Sequence, residues 1–439
     1  MISGFRDITA QVKKWTLEDC INYAIENNIG LKREKLQTRS SQVDLVKSKM
    51  DLTPSLNLGS TADMNFGRSV NPDDNTITLN QNLSNQYGMA ASLNIFNGFI
   101  TLNTIAANKF MVQAGLEMEK IVRNRLIVDI LGQFYQILYA KGLEDASKMQ
   151  LDLSERQLFR ITKMVETGRE AVSKQYEIQS RVSADRLAYI TAHNTTSQAI
   201  TTMKQILQLQ PGSEFDILLP ELDNVIITDV RFSTDSVYAL AAEVLPRLKE
   251  IEFELNAAKK QLAATKGYNS PTLTAGGSIG TVYNKVISST EETQDPFRTQ
   301  LKNNNSQSVK LTLSVPIFNR YSAARSIKLA RLKKDDTALR LELEKNNLYT
   351  EIENACLNYN RGRGEFEASR DNLEFNNKSF NAVEKKFESG LIDVTDYTVA
   401  KTTLFSAETE ALRTKLQLIV RKLAIQLYST GEYENLIMK

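Results

Sequence analysis

Gln86-Tyr87-Gly88-Met89-Ala90-Ala91-Ser92-Leu93-Asn94-Ile95-Phe96-Asn97-Gly98 is the stretch that decides the fold of this chain. Tyr87, Met89, Ala91, Leu93 and Ile95 alternate with Gln86, Gly88, Ala90, Ser92 and Asn94. Period two marks a strand with one apolar face. Its closing residues, Leu93 to Gly98, return 222 residues later as Val315-Pro316-Ile317-Phe318-Asn319-Arg320. Seventy-two residues after each Phe stands a glycine, in Glu166-Thr167-Gly168 and in Glu388-Ser389-Gly390. Upstream, Thr53-Pro54-Ser55-Leu56 is echoed by Ser270-Pro271-Thr272-Leu273, 217 residues on. A period of that length is too long for a solenoid unit and reads as a duplicated domain. After an N-terminal segment 1–14, the repeats run over 15–232 and 233–439.

Each repeat carries two such strands, about 55–66 and 86–96 in the first and about 272–283 and 308–318 in the second. Runs of this length suit a tilted strand crossing a bilayer. Aromatic residues stand at the run ends (Phe66, Tyr87, Phe96, Tyr283, Phe318 and Tyr321), as girdle residues would. A soluble half-buried sheet gives the same alternation strand by strand. Four strands of membrane length joined to very long helices favour a barrel. The polar linkers Gly67 to Asn85 and Asn284 to Asn305, with Pro72, Asp73, Asp74 and Pro296, read as exposed hairpin loops.

Helical patterning fills the rest. Thr16-Leu17-Glu18-Asp19 is a capping start, and Asn27-Asn28-Ile29-Gly30 is the weak point of the helix that follows. Proline-free stretches of about 68 residues, from about Gly98 to Glu166 and from Ala323 to Glu388, would each be roughly 100 Å long. That length implies a coiled coil or helical tube rather than a globular helix. Shorter helices span about 172–209, 235–266 and 395–429, and the short pair in each repeat is expected to stack end to end along the long one. Gly142 and Gly364, again 222 apart, are either tolerated glycines or sites of close helix packing.

Composition excludes several classes. A net charge of +2 with 24% charged residues supplies no field for nucleic acid. No apolar run reaches 18 residues, so no transmembrane helix is expected, although a β-barrel stays open. The first ten residues read equally as a signal remnant or as the start of a mature chain. Cys20 and Cys356 permit at most one bridge, and two buried free thiols are the simpler reading. No catalytic constellation, metal-ligand spacing or phosphate loop is present, and no cofactor is implied. His193 reads as a solvated or packed residue, and Arg361-Gly362-Arg363-Gly364 as part of a helix rather than an RNA tract.

Four strands cannot close a membrane barrel, and open edges cannot face lipid. A homotrimer contributing twelve strands is the simplest closed solution.

With that order and duplication of motifs, the chain resembles the TolC-like outer-membrane efflux proteins over nearly its whole length. The residues that carry the resemblance are Trp15-Thr16-Leu17-Glu18-Asp19-Cys20, the strand-opening Pro54 and Pro271, and the strand exits at Asn94 to Gly98 and Val315 to Asn319. The turn Gly390-Leu391-Ile392-Asp393-Val394-Thr395-Asp396 completes the set. The resemblance implies a trimeric twelve-stranded β-barrel in the outer membrane, continued by an α-helical barrel in the periplasm. It implies a passive exit duct that docks to an inner-membrane transporter through a periplasmic adaptor. The alternative is a non-conducting coiled-coil scaffold of the cell envelope. By resemblance the helix tips at Gly168 and Gly390 form the periplasmic entrance and the adaptor contact. The second tip follows the family pattern with Asp393 and Asp396, whereas the first carries Arg169, Glu170 and Lys174. Arg169 and Lys174 of one tip are expected to pair with Asp393 and Asp396 of the adjacent tip, as a ring that holds the entrance closed.

Overall fold

A computed structural model describes residues 14–70, 77–218, 232–287 and 295–431. The segment 1–13, the hairpin residues Pro72, Asp73 and Asp74, and much of the linker before Ser233 lie outside these residues. The described chain runs β1 (Lys14–Trp15), α1 (Leu17–Asn27), α2 (Ile29–Met50), β2 (Ser55–Val70), β3 (Ile77–Phe96), α3 (Ile100–Glu166) and α4 (Val172–Leu207). It continues with β4 (Asp216–Ile217), α5 (Thr234–Val244), α6 (Pro246–Lys266), β5 (Thr272–Val286), α7 (Phe297–Asn303), β6 (Ser306–Ser314), α8 (Ser322–Glu388) and α9 (Val394–Thr430). Two compact units result, and each draws on both repeats: 1–36, 117–249 and 342–439 in one, 37–116 and 250–341 in the other.

The second unit contains the sheet, ordered β2-β3-β5-β6 and antiparallel throughout. The register places Leu58 beside Met89 and Met89 beside Ile279, and it places Ala275 beside Leu311. Even positions of β2 and odd positions of β3, β5 and β6 therefore share one face. That face carries Leu56, Leu58, Met64, Phe66, Met89, Leu311 and Leu313, all exposed in the single chain. The other face carries Asn57, Thr61, Asp63, Ser92, Thr274, Ser278, Ser308 and Thr312. Hydroxyl pairs cross it, Ser55 to Ser92 at 2.9 Å and Ser278 to Ser308 at 2.8 Å.

β2, β3 and β5 run further than the alternation suggests. β2 and β3 stay paired from Ser55↔Ser92 out to Val70↔Ile77, and β5 reaches Val286. The polar residues of the expected loops do not end the strands, because one face of this sheet is polar anyway. β6 is shorter than expected and ends at Ser314. Pro316 follows, and a residue without an N–H cannot extend the ladder. Phe318 lies beyond the strand, 86% exposed. A register shift between Asn94 and Phe96 puts Phe96 opposite Leu273, on the apolar face.

Strand-to-helix junctions repeat in detail. Gly98 and Phe99 have φ of 65° and 62°, and their counterparts Arg320 and Tyr321 have 51° and 69°. Gly98 also sits where a Cβ would fall 2.5 Å from Ser270 Cβ and 2.7 Å from the Gly267 carbonyl. Neighbouring helices in this unit are tied by Arg340, which pairs with Glu250 (3.6 Å) and with Glu254.

The first unit is helical. Thr16 caps α1 reciprocally with Asp19: the Asp19 N–H donates to Thr16 Oγ1 (3.0 Å), and the Thr16 N–H donates to the Asp19 carboxylate (3.0 Å). The chain breaks at Asn28, whose side chain caps α2 through the Leu31 N–H at 3.1 Å. A break the sequence reading did not mark falls at Leu245, held extended by the following Pro246. The core packs Cys20, Ile127, Ile130, Ile137, Met203 and Leu207. Trp15 covers it, edge-on to Tyr23 at 5.3 Å, and β1 pairs in parallel with β4. The expected end-to-end stacking is visible at two joints. The Ile29 N–H that starts α2 donates to the Gln208 side chain just past α4 (2.9 Å). Gly431, closing α9, lies where a Cβ would be 3.1 Å from the Val244 carbonyl, at the α5–α6 break.

Gly142 is a close-packing site, since a Cβ there would lie 2.3 Å from Leu412 Cδ2, whereas Gly364 faces open space. Gly362 accommodates the Arg421 guanidinium, which pairs with Glu365 at 3.1 Å. Arg361 and Arg363 form i,i+4 pairs with Glu365 and Glu367. Helix ion pairing thus accounts for the arginine–glycine tract. Cys20 and Cys356 are both buried free thiols.

Candidate functional site

The two helix reversals in the helical unit share one backbone design. At the first, the Gly168 N–H donates to the Val165 carbonyl (3.0 Å) and the Arg169 N–H to the Met164 carbonyl (2.8 Å). At the second, Gly390 N–H donates to Phe387 (3.0 Å) and Leu391 N–H to Lys386 (2.9 Å). Both glycines have positive φ, 74° and 72°. This is the pattern that ends a helix by satisfying its last carbonyls, and it needs a residue at ease in left-handed backbone.

The side chains differ. Asp393 caps α9 by accepting from the Asp396 N–H at 2.9 Å. Its counterpart Ala171 has the same extended backbone but no side chain to cap α4. Glu170, Lys174 and Asp393 line one cleft of about 350 Å³ with Arg160, Phe387 and Leu391. Arg169 and Asp396 are not part of that lining. Among the described residues of one chain, no ion pair joins Arg169 or Lys174 to Asp393 or Asp396. Arg160 steadies the second tip, donating to the Glu388 carbonyl at 3.2 Å with its guanidinium 5.8 Å from the Phe387 ring.

Behind the cleft, Tyr397 stacks on Phe387 at 4.5 Å and is fully buried. Burial, and then Glu384 and Glu388, push its phenol up to about 12. One turn further along α9 lies a group the sequence reading missed. Lys401, 4% exposed, donates to the Gln150 carbonyl (2.6 Å) and to Ser154 Oγ (2.9 Å), and it lies 3.5 Å from the Asp185 carboxylate. Ser154 in turn donates to Asp185. Burial lowers the Lys401 ammonium from 10.5 to about 8, with Asp185 acting against that lowering. The available signal was the spacing of Val394, Tyr397 and Lys401, which puts a lysine on the apolar stripe of α9.

His193 is exposed and sits 2.7 Å from Glu144, a surface pair. Among the described residues no His, Cys, Asp and Glu group has metal-binding spacing. No described helix is long and apolar enough to cross a membrane.

The aromatic residues of the sheet fall into two settings. Tyr87 and Tyr283 lie edge-on to Phe297 of α7, at 6.4 Å and 5.0 Å. Phe66 is 65% exposed on the apolar face, and Phe96 packs edge-on to Phe99 at 5.4 Å.

A four-stranded sheet with one apolar and one polar face, joined to helices of 67 residues, is the fold of the outer-membrane channels. The Campylobacter jejuni CmeC outer membrane channel matches with a TM-score of 0.80 at 13% identity, over 96% of this chain and 88% of that one. CusC matches with a TM-score of 0.79 at 15% identity, over 95% and 92%. The Neisseria gonorrhoeae MtrE outer membrane channel in its open state matches at 0.74 and 17%, over 94% and 88%. In sequence, residues 237–429 match the outer membrane efflux protein family, so the TolC-like resemblance rests on the second repeat as well as on the fold. Among curated proteins no sequence matches the chain.

Proposed function

We propose that the chain is one third of a trimeric outer-membrane efflux duct, with the helical unit in the periplasm. The observation that carries this reading is the sheet. Its apolar residues are exposed on one face, its polar residues lie on the other, and β2 and β6 are left as open edges. In lipid those edges must be paired, and three copies close a twelve-stranded barrel with a wet lumen. Repeats 15–232 and 233–439 each contribute one hairpin and one tip. The tips at Gly168 and Gly390 form the entrance and receive a periplasmic adaptor, which links the duct to an inner-membrane transporter that supplies the energy. Asp393 and Asp396 of one tip face Arg169 and Lys174 of the next across the ring, with Glu170 beside them. Each exposed pair is worth only about 0–1 kcal/mol, so closure depends on repetition around the axis. Phe66, Tyr87, Phe96, Tyr283 and Phe318 serve as the aromatic girdle.

Planar-bilayer recording of the detergent-purified chain tests the duct, with a trimer that dissociates on heating as the expected species. A water-soluble, non-conducting monomer would favour the scaffold reading. Lys174→Ala combined with Asp396→Ala should raise low-salt conductance. Unchanged conductance would remove the gate from the proposal.

A further inference from the structure

At the end of the sheet away from its helix connections, β6 stops at Ser306↔Gly280 while β5 continues to Val286. The exposed edge of β5 is closed there by α7. Gln300 accepts from the Asn284 N–H (3.0 Å) and donates to the Asn284 carbonyl (3.1 Å), as a paired strand would. The Asn304 side chain donates to the Val282 carbonyl (2.7 Å), and Thr281 Oγ1 donates to the Leu301 carbonyl (2.8 Å). Phe297 sits between Tyr87 and Tyr283 on the apolar face. Residues 297, 300, 301 and 304 therefore hold the short helix to the sheet, and its opposite stripe, with Arg298 and Lys302, is exposed. One turn separates these two cations, so they are neighbours on that stripe. Lys285, exposed on β5 next to the pinned Asn284, shares the apolar face.

We propose that Lys285, Arg298 and Lys302 form a surface that binds the phosphate groups of lipid headgroups in the outer leaflet. The inference rests on the barrel reading above. The position of the cations identifies the partner: they stand on the apolar, exposed side of the sheet, beside the cluster of Tyr87, Tyr283 and Phe297, at the end away from the helices, with Met64 and Leu83 in register with Lys285. In a barrel that side faces lipid and that end faces the outer headgroups, where phosphate is met. Among the described residues, the apolar face of β2, β3, β5 and β6 carries no acidic side chain, so nothing on it opposes an anion. None of the three cations forms an ion pair with another described residue. The Asp295 carbonyl, two positions before the helix, accepts from the Gln300 side chain (2.9 Å) and helps to fix the helix. The helix is fixed before lipid arrives, so binding does not have to order it.

The test is native mass spectrometry of the full chain in detergent, titrated with bisphosphorylated lipid A and with the same glycolipid after dephosphorylation. The wild type should retain the phosphorylated form preferentially. A cation near an anionic surface contributes about a factor of five, so R298Q/K302Q should lower that preference roughly twenty-five-fold and K285Q about five-fold. R298K/K302R should restore it. Equal retention of the two lipids by the wild type would overturn the proposal, as would R298Q/K302Q behaving like the wild type. Displacement of the lipid by inorganic phosphate would also overturn it, by making this a free-phosphate site. Bilayer conductance separates the two readings. A lipid preference without conductance keeps this proposal and fails the duct, whereas conductance without the preference fails this proposal alone.

Discussion

Replacing Lys401 by methionine should remove a rise in stability at alkaline pH. The ammonium is held between α3, α4 and α9, on the Gln150 carbonyl, Ser154 and Asp185. Burial is the largest influence on it, with Arg181 and Arg156 pushing in the same direction and Asp185 opposing, and it titrates at about 8 instead of 10.5. A lysine that titrates lower in the folded chain binds fewer protons there than when unfolded, so stability rises with pH between the two values. The whole lowering corresponds to roughly 3 kcal/mol. Between about pH 7.5 and about pH 9.5, roughly 2 kcal/mol of it is regained. Cys20 and Tyr397, both pushed up to about 12, act in the opposite sense from their ordinary values of 9.0 and 10.0 upward, but are common to both proteins and cancel in the difference. The quantity to measure is therefore the difference between wild type and Lys401→Met in urea unfolding, followed by circular dichroism at the two pH values. Wild type should gain roughly 2 kcal/mol on the variant across that window. A difference that does not change with pH would refute the reasoning. Asp185→Ala strands the ammonium and should cost about 3–5 kcal/mol, and combining Lys401→Met with Asp185→Leu should recover most of it.

Three further outcomes follow from the duplicated geometry. Asp393→Ala should cost about 1 kcal/mol by uncapping α9, and Ala171→Asp should stabilise α4 by a similar amount, both readable as shifts in thermal unfolding. Gly364→Ala, into open space, should stabilise by about 0.5–1 kcal/mol, whereas Gly142→Ala must displace the Leu412 methyl and should stabilise less in the same assay. Arg320 holds a left-handed backbone that its counterpart Gly98 adopts without steric cost, so Arg320→Gly should raise the unfolding midpoint by the equivalent of about 1 kcal/mol.

Much of this fold was legible because it is built from periodicities. Alternation from Leu56 to Phe66 and from Tyr87 to Leu93 fixed two strands, and the absence of proline between Gly98 and Glu166 fixed a 67-residue helix. Where the sequence misled, a local residue explains the miss: Pro246 broke a helix read as continuous, and Pro316 ended β6 early. The helix α7 was read as loop, because a seven-residue segment gives too little periodicity to register and is held by Gln300 and Asn304 rather than by a core. At the tips, the glycines and the Asp393 cap were visible in the sequence. The union of Ser154, Asp185 and Lys401 was not, because those residues lie on three different helices and only packing brings them together.

That union explains why the two repeats share a backbone but not an interior. Counting 222 residues from the two charged members, Lys401 corresponds to exposed Gln179, and Asp185 to buried Ala407. The cluster therefore occurs once per chain, with its carboxylate from the first repeat and its ammonium from the second. A slip of one residue between α4 and α9 would move Asp185 about 1.5 Å along the axis and turn it by about 100°. Lys401 would then be buried with no carboxylate, a state worse by about 3–5 kcal/mol. The apolar contacts beside it, among Ile178, Val182 and Val394, are non-directional and tolerate a shift far better. The lysine thus lowers the stability of the helical unit at neutral pH, and in return it fixes the register of the two return helices that carry the tips.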